Sequence, residues 1–169
     1  MSIFEIISVV LMCVLLLMMI WLITEYSGMK TALKEKTEIN NETIKIRLQA
    51  YERLSLLTER IALHNLISRF TNAGLSAKEM KNTLIDAIKT EYDYNISQQV
   101  YVTPDAWRAV HNLKEQNIYI INQLAATLPN QASGLDLSKH IIDFLMNSQK
   151  GNLNSVVAEV LSFEAKKIM

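Results

Sequence analysis

Residues 6–24 read IISVVLMCVLLLMMIWLIT, nineteen positions without a charge, a glycine or a proline. At about 1.5 Å per residue, a helix of this length covers about 28 Å, close to the ~30 Å hydrocarbon core of a bilayer. Ser2 and Glu5 precede the run, and Trp21, Glu25 and Tyr26 mark its far end. Trp and Tyr favour the membrane–water interface because their rings are amphipathic. Soluble cores seldom supply so long a charge-free run, so the stretch predicts an N-terminal transmembrane helix.

A cleaved signal peptide needs a basic leader, a shorter apolar stretch and a small-residue cleavage site. Here Glu5 stands in the leader without Lys or Arg, and no Ala-x-Ala follows the run. A retained anchor is therefore expected. Lys and Arg near the ends set orientation. None precedes the run, whereas Lys30, Lys34 and Lys36 follow it. The N-terminus is expected outside and the tail in the cytoplasm. The single cysteine, Cys13, lies within the run, which leaves no intramolecular disulfide. Asn41-Glu42-Thr43 and Asn95-Ile96-Ser97 match the glycosylation triplet, and on a cytoplasmic tail both are chance matches.

Seventeen basic and seventeen acidic residues balance over the chain. Residues 30–72 carry eight basic and five acidic groups, and residues 73–169 carry nine and ten. Neither part has the basic surplus typical of nucleic-acid binding, so no nucleic-acid partner is expected. Four glycines and two prolines, with no alternating β-branched run, argue for an all-α chain. The expected layout is an anchor over residues 1–25, a charged connector over 26–41 and a cytoplasmic helical domain over 42–169. That domain is read as a small helical bundle with one extended aromatic loop. Lys30, Lys34 and Lys36 in the connector are candidate lipid-headgroup contacts, besides serving as the topology signal.

Asn40-Asn41 is the first expected break. A long helix over residues 42–71 follows, with Ile46, Leu54, Leu57 and Ile61 on one stripe. Leu56, Leu63, Leu66, Ile67 and Phe70 widen that stripe, and Asn72-Ala73-Gly74 is the expected stop. Ser76 and Glu79 fit a capping box opening a helix to about residue 91. Residues 92–103, YDYNISQQVYVT, favour a loop with extended character. Thr103-Pro104-Asp105 then starts a helix to about residue 128, with Thr as N-cap and Pro at its first position. Gly134-Leu135-Asp136 echoes Gly74-Leu75-Ser76, which places a helix start at Asp136 and a stop near Gly151. A last helix covers about residues 154–167.

No phosphate loop, His-Glu-x-x-His, Cys-x-x-Cys or Gly-x-Ser-x-Gly is present. His64, His111 and His140 stand far apart, and the tail has no thiol. No cofactor or metal is expected, and no catalytic residue is singled out. Two groups do stand out: the basic and aromatic row Tyr51-Glu52-Arg53 and Glu59-Arg60, in which Arg53 and Arg60 lie two turns apart on nearly one face, and the set Glu91, Tyr92, Asp93, Tyr94, Tyr101 and Trp107. Arg53 or Arg60 is expected to pair with Glu91 or Asp93 as the loop folds across the long helix. Tyr, Trp and Arg are also the usual anchors of protein interfaces, so the same residues form a candidate docking surface.

LQAYERLSLLTERI (residues 48–61) and YNISQQVYVTPDAW (residues 94–107) resemble recurring blocks of an uncharacterised family of Bacteroidota membrane-anchored proteins. The resemblance implies one N-terminal span, a short helical tail and a bacterial inner membrane, and it brings no activity. The leading expectation is a membrane-anchored structural or interaction protein, meeting a protein partner or copies of itself at the bilayer. A lipid-responsive regulatory element acting through the connector lysines, and an enzyme on membrane substrates, are the alternatives.

Overall fold

The computed structural model describes residues 3–70, 74–147 and 153–169. The described residues form helices α1 (Ile3–Arg60), α2 (Leu63–Phe70), α3 (Ala77–Tyr94), α4 (Pro104–Ala126), α5 (Gly134–Asn147) and α6 (Leu153–Lys167). A 3-10 turn covers Ile96–Val100 between α3 and α4. No strand occurs among the described residues, only an isolated antiparallel pairing of Ser76 with Ser133. The chain divides into two compact units, Met1–Thr43 and Ile44–Met169.

The first unit consists of α1 residues. Among the described residues, α1 is the helix long and apolar enough to cross a membrane. Leu15, Leu16, Leu17, Trp21 and Leu22 are each more than half exposed. Three hydroxyls at and beyond the end of this stretch bond to the helix itself. Thr24 Oγ1 donates to the Trp21 carbonyl at 2.7 Å, Ser27 Oγ to Thr24 at 2.8 Å and Thr31 Oγ1 to Ser27 at 2.9 Å. Such back-bonding is how a helix carries hydroxyl groups where water is scarce. Asn40 and Asn41 lie within α1, so the expected break there is absent. Thr43 Oγ1 bonds back to the Ile39 carbonyl at 2.9 Å across them.

In the second unit the last turns of α1 become core. Tyr51, Leu54, Leu57 and Ile61 are fully buried, at the three-to-four-residue spacing of one helical face. Around them pack Leu66 from α2, Met80, Leu84 and Ile88 from α3, Val110, Leu113 and Ile121 from α4, Leu137 and Ile141 from α5, and Leu161 from α6. Leu56, expected to widen the stripe, is instead 57% exposed.

The expected single helix over residues 42–71 is two helices, α1 and α2, parted at Ile61 and Ala62. No glycine or proline causes this; tertiary hydrogen bonds do. The last four carbonyls of a helix have no partner within it. Here side chains supply the donors. Asn154 Nδ2 donates to the Thr58 carbonyl at 2.8 Å, and Asn65 Nδ2 to Glu59 at 2.8 Å. Arg69 Nη2 donates to Arg60 at 2.6 Å, and Asn117 Nδ2 to Ile61 at 2.8 Å. The donors come from α2, α4 and α6, so the end of α1 is held from three sides. Of the expected stop at residues 72–74 only Gly74, in a turn, is described, and the expected stop at Gly151 lies outside the described residues.

The helix starts are satisfied locally. Ser76 Oγ accepts from the Glu79 amide at 3.3 Å, while Glu79 Oε2 accepts from Ser76 N at 2.9 Å. A second such box opens α5, but it sits three residues before the expected one. Ser133 is the cap, accepting from the Asp136 amide at 3.2 Å, and Asp136 Oδ2 accepts from Ser133 N at 2.9 Å. The two boxes meet: Ala77 N donates to the Ala132 carbonyl at 2.9 Å, and Gly134 N to the Leu75 carbonyl at 2.7 Å. A Cβ on Gly134 would stand 3.1 Å from that Leu75 oxygen, which is why glycine fits there. The expected extended loop is also corrected. α3 continues to Tyr94 and the chain turns through the 3-10 segment, so residues 92–103 contain no strand. Thr103 caps α4 as expected, accepting from the Ala106 amide at 3.2 Å.

Asn117 is buried and its amide serves a buried carbonyl. Asn117→Ala should lower the unfolding free energy by about 1–3 kcal/mol, the cost of an unsatisfied buried acceptor. Asn122→Ala, exposed on the same helix, should stay within about 0.5 kcal/mol of the parent. Urea titration of the full chain in detergent, followed by circular dichroism, separates them. Hydrogen bonds from Ser76 hold Glu79 below the usual carboxylate range, and those from Ser133 do the same for Asp136. A lowered folded-state pKa gives stability that is present above the unfolded value, about 4, and is lost as pH falls through the folded one. The double variant Glu79→Gln, Asp136→Asn should therefore show a flatter acid limb in its stability profile.

Candidate functional site

The two arginines and the acidic, aromatic end of α3 lie in the second unit. Arg60, in the last turn of α1, places Nε 2.7 Å and Nη2 2.6 Å from Glu91 Oε1 on α3. Arg69 on α2 brings Nη1 to 3.6 Å of the same oxygen, while its Nη2 serves the Arg60 carbonyl. The hydrogen bond and charge of Glu91 raise the Arg60 pKa further above its ordinary value. One carboxylate thus takes two guanidinium groups, and the same cluster closes the end of α1. Arg69 was not among the residues singled out; it is nine positions beyond Arg60, across a helix break that no local pattern marks.

Tyr92 packs inward. Its ring centroid lies 5.1 Å from that of Trp107 and 5.9 Å from His111, and Lys114 Nζ stands 4.5 Å over its face. Its Oη is 3.1 Å from His111 Nδ1. Burial first, then the charges of Glu115 and Asp93, raise the Tyr92 pKa. The imidazole tautomer sets which of the two groups donates in this bond. Trp107, His111 and Lys114 follow one another at helical spacing on α4, the signal that could have joined His111 and Lys114 to the aromatic set. Tyr51, from the same row as Arg53, is buried in the core, and its hydroxyl accepts from Thr103 N at 3.2 Å, just before α4. Tyr101 is partly exposed; its carbonyl accepts from Arg47 Nε at 3.3 Å.

Arg53, Asp93 and Tyr94 stay exposed. Arg53 has no ion pair among the described residues. It lines an open groove of about 580 Å³ together with Leu56, Leu57, Arg60, Thr90, Glu91, Tyr94 and Asn95. Asn95 is itself buried and donates from Nδ2 to the Glu91 carbonyl at 2.8 Å, fixing the groove's far corner. Of the connector lysines in the first unit, Lys34 lies 3.9 Å from Glu38 and all three are exposed. No group of three or more His, Cys, Asp or Glu side chains suited to a metal ion occurs among the described residues.

The chain belongs to a protein family: its residues 1–168 match the model of the Family of unknown function (DUF7935). No curated protein and no solved structure is found to match it.

Tyr92→Phe removes the hydroxyl on His111 and should cost about 0.5–1.5 kcal/mol near neutral pH. The pH dependence runs opposite to that of Glu79 and Asp136. A raised tyrosine pKa leaves stability intact below the unfolded value, about 10, and erodes it as pH rises toward the folded one. The stability difference between parent and variant should therefore shrink between about pH 8 and pH 11. Urea titrations at the two ends of that range check it, and a constant difference would detach Tyr92 from the alkaline loss.

Proposed function

We propose that this family member is a single-pass protein of a bacterial inner membrane, N-terminus outside, whose second unit is a cytoplasmic docking module for another protein. The observation that carries the reading is the groove on the bundle. Its lining offers to solvent Arg53 and Tyr94, residue types that anchor interfaces, and the apolar Leu56, on a frame held by Arg60, Glu91 and Asn95. The anchor rests on the apolar run in α1 and the orientation on the lysines that follow it. A second reading, lipid sensing by the connector, draws on Lys30, Lys34 and Lys36 standing exposed, each worth about 1 kcal/mol beside anionic headgroups.

Two measurements test the main reading. A fluorescent protein fused to the C-terminus should fluoresce, and alkaline phosphatase fused there should stay inactive; the reverse pattern overturns the orientation. Purified from native membranes, the chain should carry a stoichiometric protein partner or a second copy of itself. A lone monomer would sink the docking role.

A further inference from the structure

This inference rests on the docking reading and names what the groove takes. We infer that the groove between the end of α1 and α3 binds an acidic segment of a partner protein, one that places an apolar side chain beside a carboxylate. The apolar half of the argument is exposure. Leu54 and Leu57 on the same helix are fully buried, whereas Leu56 is 57% and Tyr94 75% exposed, and both line the groove. The polar half is charge. Arg60 and Arg69 share the single carboxylate of Glu91, and Arg53 at the groove has no ion pair among the described residues. Within the lining itself two guanidinium groups, of Arg53 and Arg60, therefore meet one carboxylate, and Arg60 already holds it. A partner carboxylate supplies the missing charge, and guanidinium forms charge-assisted, two-pronged hydrogen bonds to that group. About 580 Å³ suits a few side chains of a peptide rather than the face of a folded domain.

The probe is an array of nine-residue peptides with a central Leu or Phe flanked by Asp and Glu, and matched versions carrying Asn and Gln. The full chain is used in detergent. The acidic peptides should bind, and the amide versions should bind at least about tenfold more weakly. Arg53→Glu and Leu56→Asp should each lower acidic-peptide binding by about the same factor, with Arg53→Lys retaining part of it. Both positions are exposed, so these variants should melt like the parent. Equal binding of acidic and amide peptides, or no effect of Arg53→Glu, overturns the assignment. So does Arg53-dependent binding of phosphatidylglycerol vesicles without peptide binding, which gives the groove to lipid. Purification of Arg53→Glu from native membranes separates the two readings. A stoichiometric partner still bound there, with the array blank, leaves docking standing and removes the groove from it. No partner on either form overturns docking itself.

Discussion

The second unit depends on how α1 ends. A helix end leaves carbonyl oxygens without partners in the helix, and an unmatched buried one costs about 1–3 kcal/mol; here the Ile61 carbonyl is buried and that of Thr58 partly so. Four successive carbonyls, from Thr58 to Ile61, are taken by Asn154, Asn65, Arg69 and Asn117. Those donors sit on α6, α2 and α4. The stop is thus a tertiary event. It exists only once the other helices are in place, and it fixes where each of them must be.

The opposite ends of the helices are handled within a few residues. Ser76 with Glu79, and Ser133 with Asp136, close reciprocal boxes around the free amides of α3 and α5. Having closed, the two starts lie side by side and exchange Ala77 and Gly134 amides for the Ala132 and Leu75 carbonyls. That joint brings α3 and α5 together at their N-terminal ends, while the side-chain donors gather α2, α4 and α6 at the C-terminal end of α1. The apolar faces between them then fill the interior with Leu, Ile and Met.

This asymmetry decides what the sequence could disclose. The Ser76–Glu79 box and the Thr103-Pro104 start are local, and they were legible. The split of residues 42–71 was not, because Ile61-Ala62 contains no breaker and the cause lies in Asn117 and Asn154, 56 and 96 positions away. The cap of α5 was misplaced by three residues because Asp136 is itself a good cap type; at the third helical position its carboxylate reaches back to Ser133 instead. Residues 92–103 were read as extended from Tyr, Ile and Val, whose strand preference needs a neighbouring strand to express it. With none beside it, the segment closes as a 3-10 turn against Asn95 and Gln98. At the groove, the pairing of an α1 arginine with Glu91 followed from charge and helix position, whereas Arg69 could be found only in three dimensions.

The groove shares its wall with the helix end, and this separates the roles of its arginines. Arg60 is tied down twice, its carbonyl by Arg69 and its guanidinium by Glu91. Replacing it would disturb the stop of α1 as well as the surface, so any loss of binding would be uninterpretable. Arg53 lies on the same lining without such ties, two turns earlier on a helix already fixed by Leu54 and Leu57. The fold does not require its charge. A cation without an ion pair among the described residues, placed beside an exposed leucine and an exposed tyrosine, is the feature of this surface on which the proposed docking rests.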